Sequence, residues 1–228
     1  MERITADARK QGRRALLEPE AKEVCVAYGI PTPKFRVVQS AEEAISVGEE
    51  FAYPVVLKIV SPDILHKTEA GGVIAGLNSK EQVLDAYNHI LSNVKQHDPM
   101  ARVEGILVQS MAPVGVEVIV GGLRDSTFGP TVLFGMGGVF VEVLKDASFR
   151  VAPITELDSR QMIEEIRGYA LLRGIRGQPP SDEGAITQIL QATSKIMLDN
   201  PQIQQIDLNP VIVYARGATA VDARIILE

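Results

Sequence analysis

Residues 55–77 read VVLKIVSPDILHKTEAGGVIAGL. VVLKIV is almost continuously apolar and β-branched, the pattern of a buried strand, and VIAGL is a second strand. Between them, residues 61–72 form a polar loop centred on His66 and closing on a Gly-Gly pair. Lys67, Thr68 and Glu69 sit beside the imidazole. A neutral imidazole nitrogen is a competent nucleophile near neutral pH. Acidic, basic and hydroxyl neighbours on a glycine-hinged loop suit covalent nitrogen chemistry, and strand-linking loops are where scaffolds present function. A lone histidine in a polar loop is also commonly a solvated surface residue, so the rest of the chain decides. Lys58 interrupts the apolar strand. Its ammonium either meets an anion or points from a half-exposed strand into water.

Working outward, 228 residues allow one large domain or two small ones with an ample core. Aromatics are only 5% and Trp is absent, so that core is aliphatic. The net charge of −6 disfavours general nucleic-acid binding. The single cysteine, Cys25, excludes an intrachain disulfide and reads as a buried thiol in a reducing compartment. No apolar run approaches the roughly 20 residues of a membrane span. The first residues lack the apolar centre of a signal peptide. The expectation is a soluble cytoplasmic protein.

Along the chain, residues 5–17 read as a helix with a basic, solvated side (Arg9, Lys10, Arg13, Arg14). Pro19 suits the first turn of a second helix, which Gly29 closes. Capping boxes at Ser40 and Ser79 open two more helices around the 55–77 unit, and Asp98-Pro99 ends the second of them. The order β-α-β, loop, β-α makes an α/β lobe. Beyond residue 110 the chain turns β-rich. Strands are expected at 116–120, 131–134, 139–144 and 149–152, then a Thr155-capped helix to about residue 172. A loop, an amphipathic helix at 185–198 and short strands at 205–208, 211–213 and 220–225 complete it. Two lobes, 1–110 and 111–228, would leave a cleft between them.

Several groups in the second half bear on chemistry. The run GMGG at 135–138 frees backbone N–H groups for an anion-binding nest, but matches neither a P-loop nor a dinucleotide fingerprint. In Asp207-Leu-Asn-Pro210 the first and third side chains share one strand face, and Asp222 follows on another strand. Asp and Asn oxygens in one place suit Mg²⁺, which takes few protein ligands. The same residues also fit a polar strand-end turn. Glu117, among apolar neighbours, either faces water or binds ligand hydroxyls. Arg124 and Arg150 flank the glycine run as candidate phosphate clamps or exposed strand ends.

Taken in order, LLEPEAKEVCVAYGIPTP, YPVVLKIVSPDILHKTEAGGV, FGMGGVFVEV and IDLNPVIV resemble the β subunit of ADP-forming acetyl-CoA (acyl-CoA) synthetase. That family is related to succinyl-CoA synthetase and has an ATP-grasp fold. The resemblance covers essentially the whole chain. It implies an α/β (α+β), two-lobed ATP-grasp fold with the nucleotide between the lobes. It also implies the reaction acyl-CoA + ADP + phosphate ⇌ acid + ATP + CoA. His66 would be the phosphoryl-accepting histidine, with Asp207 orienting its ring or assisting at the metal. Lys58 would neutralise nucleotide phosphates, Gly137 and Gly138 would add backbone donors, and Glu117 would bind ribose. The hinge at Gln109, Ser110 and Met111 would cradle adenine. Asn209 and Asp222 would hold Mg²⁺, with ADP or ATP as substrate. The partner would be a CoA-binding α subunit in an α2β2 assembly, with no nucleic acid and no membrane. Two other readings stay open: a regulatory nucleotide-binding ATP-grasp module of a larger acyl-CoA or acetyltransferase assembly, and a carboxylate–amine ATP-grasp ligase.

Overall fold

The computed structural model describes residues 2–64, 66–138, 146–175, 177 and 179–228. The strand expected at 139–144 lies outside the described residues. The chain forms two compact units. One comprises residues 17–19 and 33–112, the other 1–16, 20–32 and 113–228. The expected lobe 1–110 therefore gives up most of its first 32 residues to the other unit. Backbone hydrogen bonds and apolar burial are the reason. Leu16 N–H donates to Ile225 O at 2.9 Å, Leu227 N–H to Arg14 O at 2.8 Å and Ala220 N–H to Pro31 O at 2.8 Å. Ala21, Val24, Cys25 and Ile30 are buried in the same core as Val120, Phe134 and Leu208.

The smaller unit contains β1 (Phe35–Val38), α3 (Ala41–Phe51), β2 (Val55–Val60), β3 (Val73–Leu77), α4 (Lys80–His97) and β4 (Gly105–Ser110). The sheet order is β1-β4-β2-β3 and every pairing is antiparallel. Because β4 lies antiparallel between β1 and β2, those two run the same way, and α3 joins them as the strand–helix–strand rhythm implies. Val83, Ala86, Ile90 and Val94 of α4 and Ala44 and Val47 of α3 pack with Val55, Leu57 and Ile59. Every residue of β2 is buried. The two expected capping boxes are each shifted by one residue. Ser40 Oγ accepts from Glu43 N–H, but Glu43 takes the N–H of Gln39 rather than that of Ser40. Ser79, Gln82 and Asn78 repeat the pattern.

The larger unit begins with α1 (Glu2–Lys10) and α2 (Glu18–Ala27), the latter's first two residues grouping with the smaller unit. It continues with β5 (Val116–Asp125), β6 (Gly129–Met136), β7 (Ala147–Val151), α5 (Glu156–Glu165), α6 (Tyr169–Leu172), α7 (Glu183–Asp199), β8 (Ile203–Val213), β9 (Ala218–Ala220) and β10 (Arg224–Leu227). The antiparallel sheet runs β10-β8-β5-β6-β7, with β9 on the end of β8. Helix α7 packs on β5 and β6 through Ile186, Ile189, Leu190 and Met197. The helix expected from Thr155 to about 172 is two helices. The Asp146 carboxylate takes the N–H groups of Arg167 and Gly168, both at 2.7 Å, and so draws those donors out of helical pairing.

Two expected strands at 205–208 and 211–213 are one strand with a bulge. Val118 and Val120 of β5 face Val211 and Leu208, so β8 carries an extra residue at Asn209-Pro210. The bulge resets the alternation: Ile206 and Leu208 are buried before it, Val211 and Val213 after it. Arg13, expected on a solvated face, is buried and forms a two-bonded pair with Glu20, both bonds 2.7 Å. Arg9, Lys10 and Arg14 are exposed. Among the described residues no helix is long and apolar enough to cross a membrane.

Candidate active site

His66 lies on a single helical turn between β2 and β3. Ala70 N–H donates to His66 O at 3.1 Å, Gly71 N–H to Thr68 O at 3.0 Å and Gly72 N–H to Lys67 O at 2.7 Å. The last two bonds make a Schellman cap, with Gly71 at φ +64 in the left-handed position that cap requires. Gly72 lies against β2, where a Cβ would stand 2.5 Å from Ile59 Cγ2. Both glycines of the pair thus have a structural cause. Asn93 of α4 donates to Gly71 O at 3.1 Å.

The other end of the loop is pinned too. Arg102 donates to the Asp63 carboxylate through its backbone N–H at 2.8 Å, Nε at 3.0 Å and Nη2 at 2.9 Å. These bonds hold the Asp63 carboxyl down at about 2. Ile64 is buried in the core of the smaller unit. Between these anchors the His66 side chain is 69% exposed, with Nδ1 4.0 Å from Glu69 Oε1. The result is an accessible imidazole on a turn held by backbone bonds after it and by the Asp63–Arg102 pair before it.

Lys58 does meet an anion, and the anion is internal. It is 5% exposed, and its Nζ donates to Glu18 Oε1 at 2.6 Å. The second carboxylate oxygen of Glu18 accepts from Lys67 Nζ. Glu18 itself is buried. Sequence reading missed this residue. An acid in the first turn of a helix is an ordinary preference, and no periodicity links it to a lysine 40 positions on.

At the expected adenine hinge, Gln109 is fully buried on β4, opposite Phe35 and Val56. Ser110 N–H donates to Lys34 O at 2.9 Å and Met111 N–H to Pro54 O at 3.0 Å, so two backbone donors there are engaged by the protein. The Met111 side chain is exposed.

In the larger unit, Glu117, Gly137 and Gly138 come together. Gly137 N–H donates to Glu117 O at 2.8 Å, and a Cβ on Gly137 would stand 2.9 Å from Glu117 Cβ. Only glycine permits that approach. Gly135 and Met136 belong to β6, so the glycine run is half strand and half turn. Glu117 and the glycine pair line a cavity of about 720 Å³ whose other walls include Val116, Met136, Val213 and Tyr214. An apolar cavity with one carboxylate at its wall has the character of a small-molecule site.

Asp207, Asn209 and Asp222 also gather. Asp207 and Asn209 lie on β8, and Arg224 of β10 pairs opposite Asp207. Val221 N–H donates to Pro210 O at 2.9 Å, which brings Asp222 to the bulge. Burial, and then the negative charge of Asp222, push the Asp207 carboxyl up, with Arg224 partly opposing them. Among the described residues no three His, Cys, Asp or Glu side chains gather as a metal cluster. The set here is two carboxylates and an amide oxygen, and two mutually repelling carboxylates beside an amide fit a hard divalent cation that keeps its remaining ligands from water and phosphate.

Arg124 and Arg150 are not placed as phosphate clamps. Arg124 donates to the carbonyls of Met197 at 2.6 Å and Ile203 at 3.2 Å, tying the end of α7 to β8. Arg150 pairs with Glu165. His89 and His97 are exposed.

An ATP-grasp domain family model matches residues 7–227. The β subunit of acetate–CoA ligase [ADP-forming] I of Pyrococcus furiosus is 48% identical over 96% of this chain and 94% of its own length. Acetate–CoA ligase [ADP-forming] I of Archaeoglobus fulgidus is 48% identical over 91% of this chain, which spans 30% of that longer protein. Acetyl-coenzyme A synthetase 1 of Ca. Korarchaeum cryptofilum, solved with coenzyme A and Ca-AMPCP, superposes with a TM-score of 0.97 at 51% identity, covering 99% of this chain and 98% of that one. A second structure of that protein, with Mg-AMPPCP, has its phosphohistidine segment pointing towards the nucleotide-binding site; it is 48% identical over the same shares, with a TM-score of 0.88.

Proposed function

The chain belongs to the ATP-grasp family, among the β subunits of ADP-forming acyl-CoA ligases, and from that premise we infer that it is the β subunit of an NDP-forming acyl-CoA synthetase, active with an α partner. The reaction is acyl-CoA + ADP + phosphate ⇌ acid + ATP + CoA. The observation that carries the reading is the exposed His66 imidazole on a turn anchored at both ends. Phosphoryl transfer is mostly positioning and charge stabilisation, and a pinned turn supplies the first.

In the proposed step, an imidazole nitrogen of His66 carries the phosphoryl group. The N–P bond breaks as a terminal phosphate oxygen of ADP bonds to phosphorus, giving ATP and the free imidazole. Lys58 supplies positive charge to the nucleotide phosphates; at the glycine pair Gly138 N–H adds a donor, while Gly137, whose own N–H is bonded to Glu117 O, lets the backbone approach closely. Glu117, on the wall of the apolar cavity, accepts hydrogen bonds from the ribose hydroxyls. Gln109, Ser110 and Met111 shape the adenine edge, the exposed Met111 side chain packing on the base. Asn209 and Asp222 would hold Mg²⁺, which when bound offsets phosphate charge. Asp207 orients the imidazole or assists at the metal. We place the protein in the cytoplasm, in an α2β2 assembly with a CoA-binding α subunit.

The test is ATP formation from acetyl-CoA, ADP and phosphate with the α partner supplied separately. Wild type should make ATP, and His66→Ala should bind nucleotide yet make none. ATP formation at the wild-type rate by His66→Ala would refute the reading.

A further inference from the structure

We propose that Glu18 is a positioning residue for phosphoryl transfer, a buried carboxylate latch that holds the His66 turn at the Lys58 end of β2. This rests on the assignment of His66 as phosphoryl carrier. The carboxylate divides its two oxygens between two lysines of different kinds. Lys58 belongs to a strand buried along its whole length and needs an anion wherever it lies. Lys67 does not. It sits on a polar loop, where an ammonium on a flexible stem ordinarily stays in water. Here its side chain is drawn in to 20% exposure and bonded to the second oxygen of Glu18. That gives up rotamer freedom and contributes nothing that the burial of Lys58 requires. Its consequence is geometric. Three backbone bonds tie residues 66–72 into one turn. Fixing Lys67 Nζ therefore fixes the direction in which His66, its chain neighbour, leaves the turn.

The shared carboxylate also links the two lysines. Phosphate oxygens approaching Lys58 compete with Glu18 for the same ammonium, so a nucleotide is felt at Lys67 through one intervening group. The latch holds the turn where the phosphates are proposed to bind, and its loss slows transfer without abolishing nucleotide binding.

The experiment uses the full chain and four variants: Glu18→Gln, Lys67→Met, Lys67→Arg and the Glu18→Gln/Lys67→Met double. Lys67→Met leaves the buried Lys58–Glu18 pair intact and so guards against a general folding defect. The first readout is hydrogen exchange of residues 66–72. Glu18→Gln and Lys67→Met should each raise it at least about tenfold, which is about 1.4 kcal/mol of opening free energy. The double variant should match Glu18→Gln, and Lys67→Arg should stay near wild type. The second readout is labelling of His66 from Mg²⁺-ATP with the α partner. Lys67→Met should lower the saturated rate about tenfold while the half-saturating ATP concentration stays within about twofold. Unchanged exchange in Lys67→Met, or a Lys67→Met effect spread over β2 and β4, would overturn the latch. Absence of label on the wild type would strike the His66 assignment instead, since the exchange pattern decides the latch without any catalysis.

Discussion

Replacing Gly71 with alanine tests how the His66 turn is held. Gly71 has φ +64, and the left-handed conformation costs an alanine there about 1–2 kcal/mol. Its Cβ would also stand 2.7 Å from Asn93 Nδ2, a contact no real Cβ makes. The amide must swing away and give up its bond to Gly71 O, worth about 1 kcal/mol. The sum is about 2–3 kcal/mol. Gly76 is the control. It has φ +74, but a Cβ added there would meet nothing within 4 Å, so Gly76→Ala carries only the backbone cost of about 1–2 kcal/mol. Urea unfolding of wild type and both variants, followed by circular dichroism, gives the difference. Gly71→Ala should lie below Gly76→Ala by about 1 kcal/mol, and the excess should shrink in an Asn93→Ala background, which removes the amide but keeps the Asn93 Cβ 3.1 Å away. Equal stabilities for the two glycine variants would refute the Asn93 argument, and a Gly71→Ala chain as stable as wild type would refute the Schellman cap.

Other expectations follow from the same geometry. The Asp63 carboxyl lies at about 2 in the folded chain, below the ordinary value of about 3.9. Its contribution is therefore present above about pH 4 and lost as pH falls towards 2, so the stability gap between wild type and Asp63→Asn should close across that window in an acid titration. Burial pushes the Cys25 thiol up to about 12, so a thiol reagent at pH 8 should modify it only on unfolding; fast labelling of the native chain would contradict its placement. Asp222→Ala should weaken nucleotide binding at millimolar Mg²⁺ and leave the Mg²⁺-free affinity unchanged. Calorimetry showing the same loss with and without Mg²⁺ would remove Asp222 from the metal site.

The strands and helices of the smaller unit were legible because each carries its own period. VVLKIV reads as a buried strand with Lys58 open between an anion and water, and every position of it is buried. Lys58 was recognisable as needing an anion or water, but Glu18 was not recognisable as that anion, because an ion pair across 40 positions leaves no local trace. The same holds for Arg13, whose burial depends on Glu20. The join of 205–208 and 211–213 into one strand was hidden by Pro210, which locally reads as a break; pairing with β5 on one side and with β9 and β10 on the other carries the strand through it. The grouping of α1 and α2 with the far half of the chain was equally invisible, since it is made by contacts to β10 and residue 220. Asp207, Asn209 and Asp222 were visible as residue types. That they lie together follows from the bulge and from Val221 bonding to Pro210.

His66 is expected to carry the phosphoryl group. The direct measurement is to mix the chain and its α partner with Mg²⁺ and γ-labelled ATP and to map acid-labile, base-stable label by peptide analysis. Label should appear on His66, move to added ADP and be absent from His66→Ala. Nucleotide binding with no label on His66, or label that ADP does not remove, would contradict it.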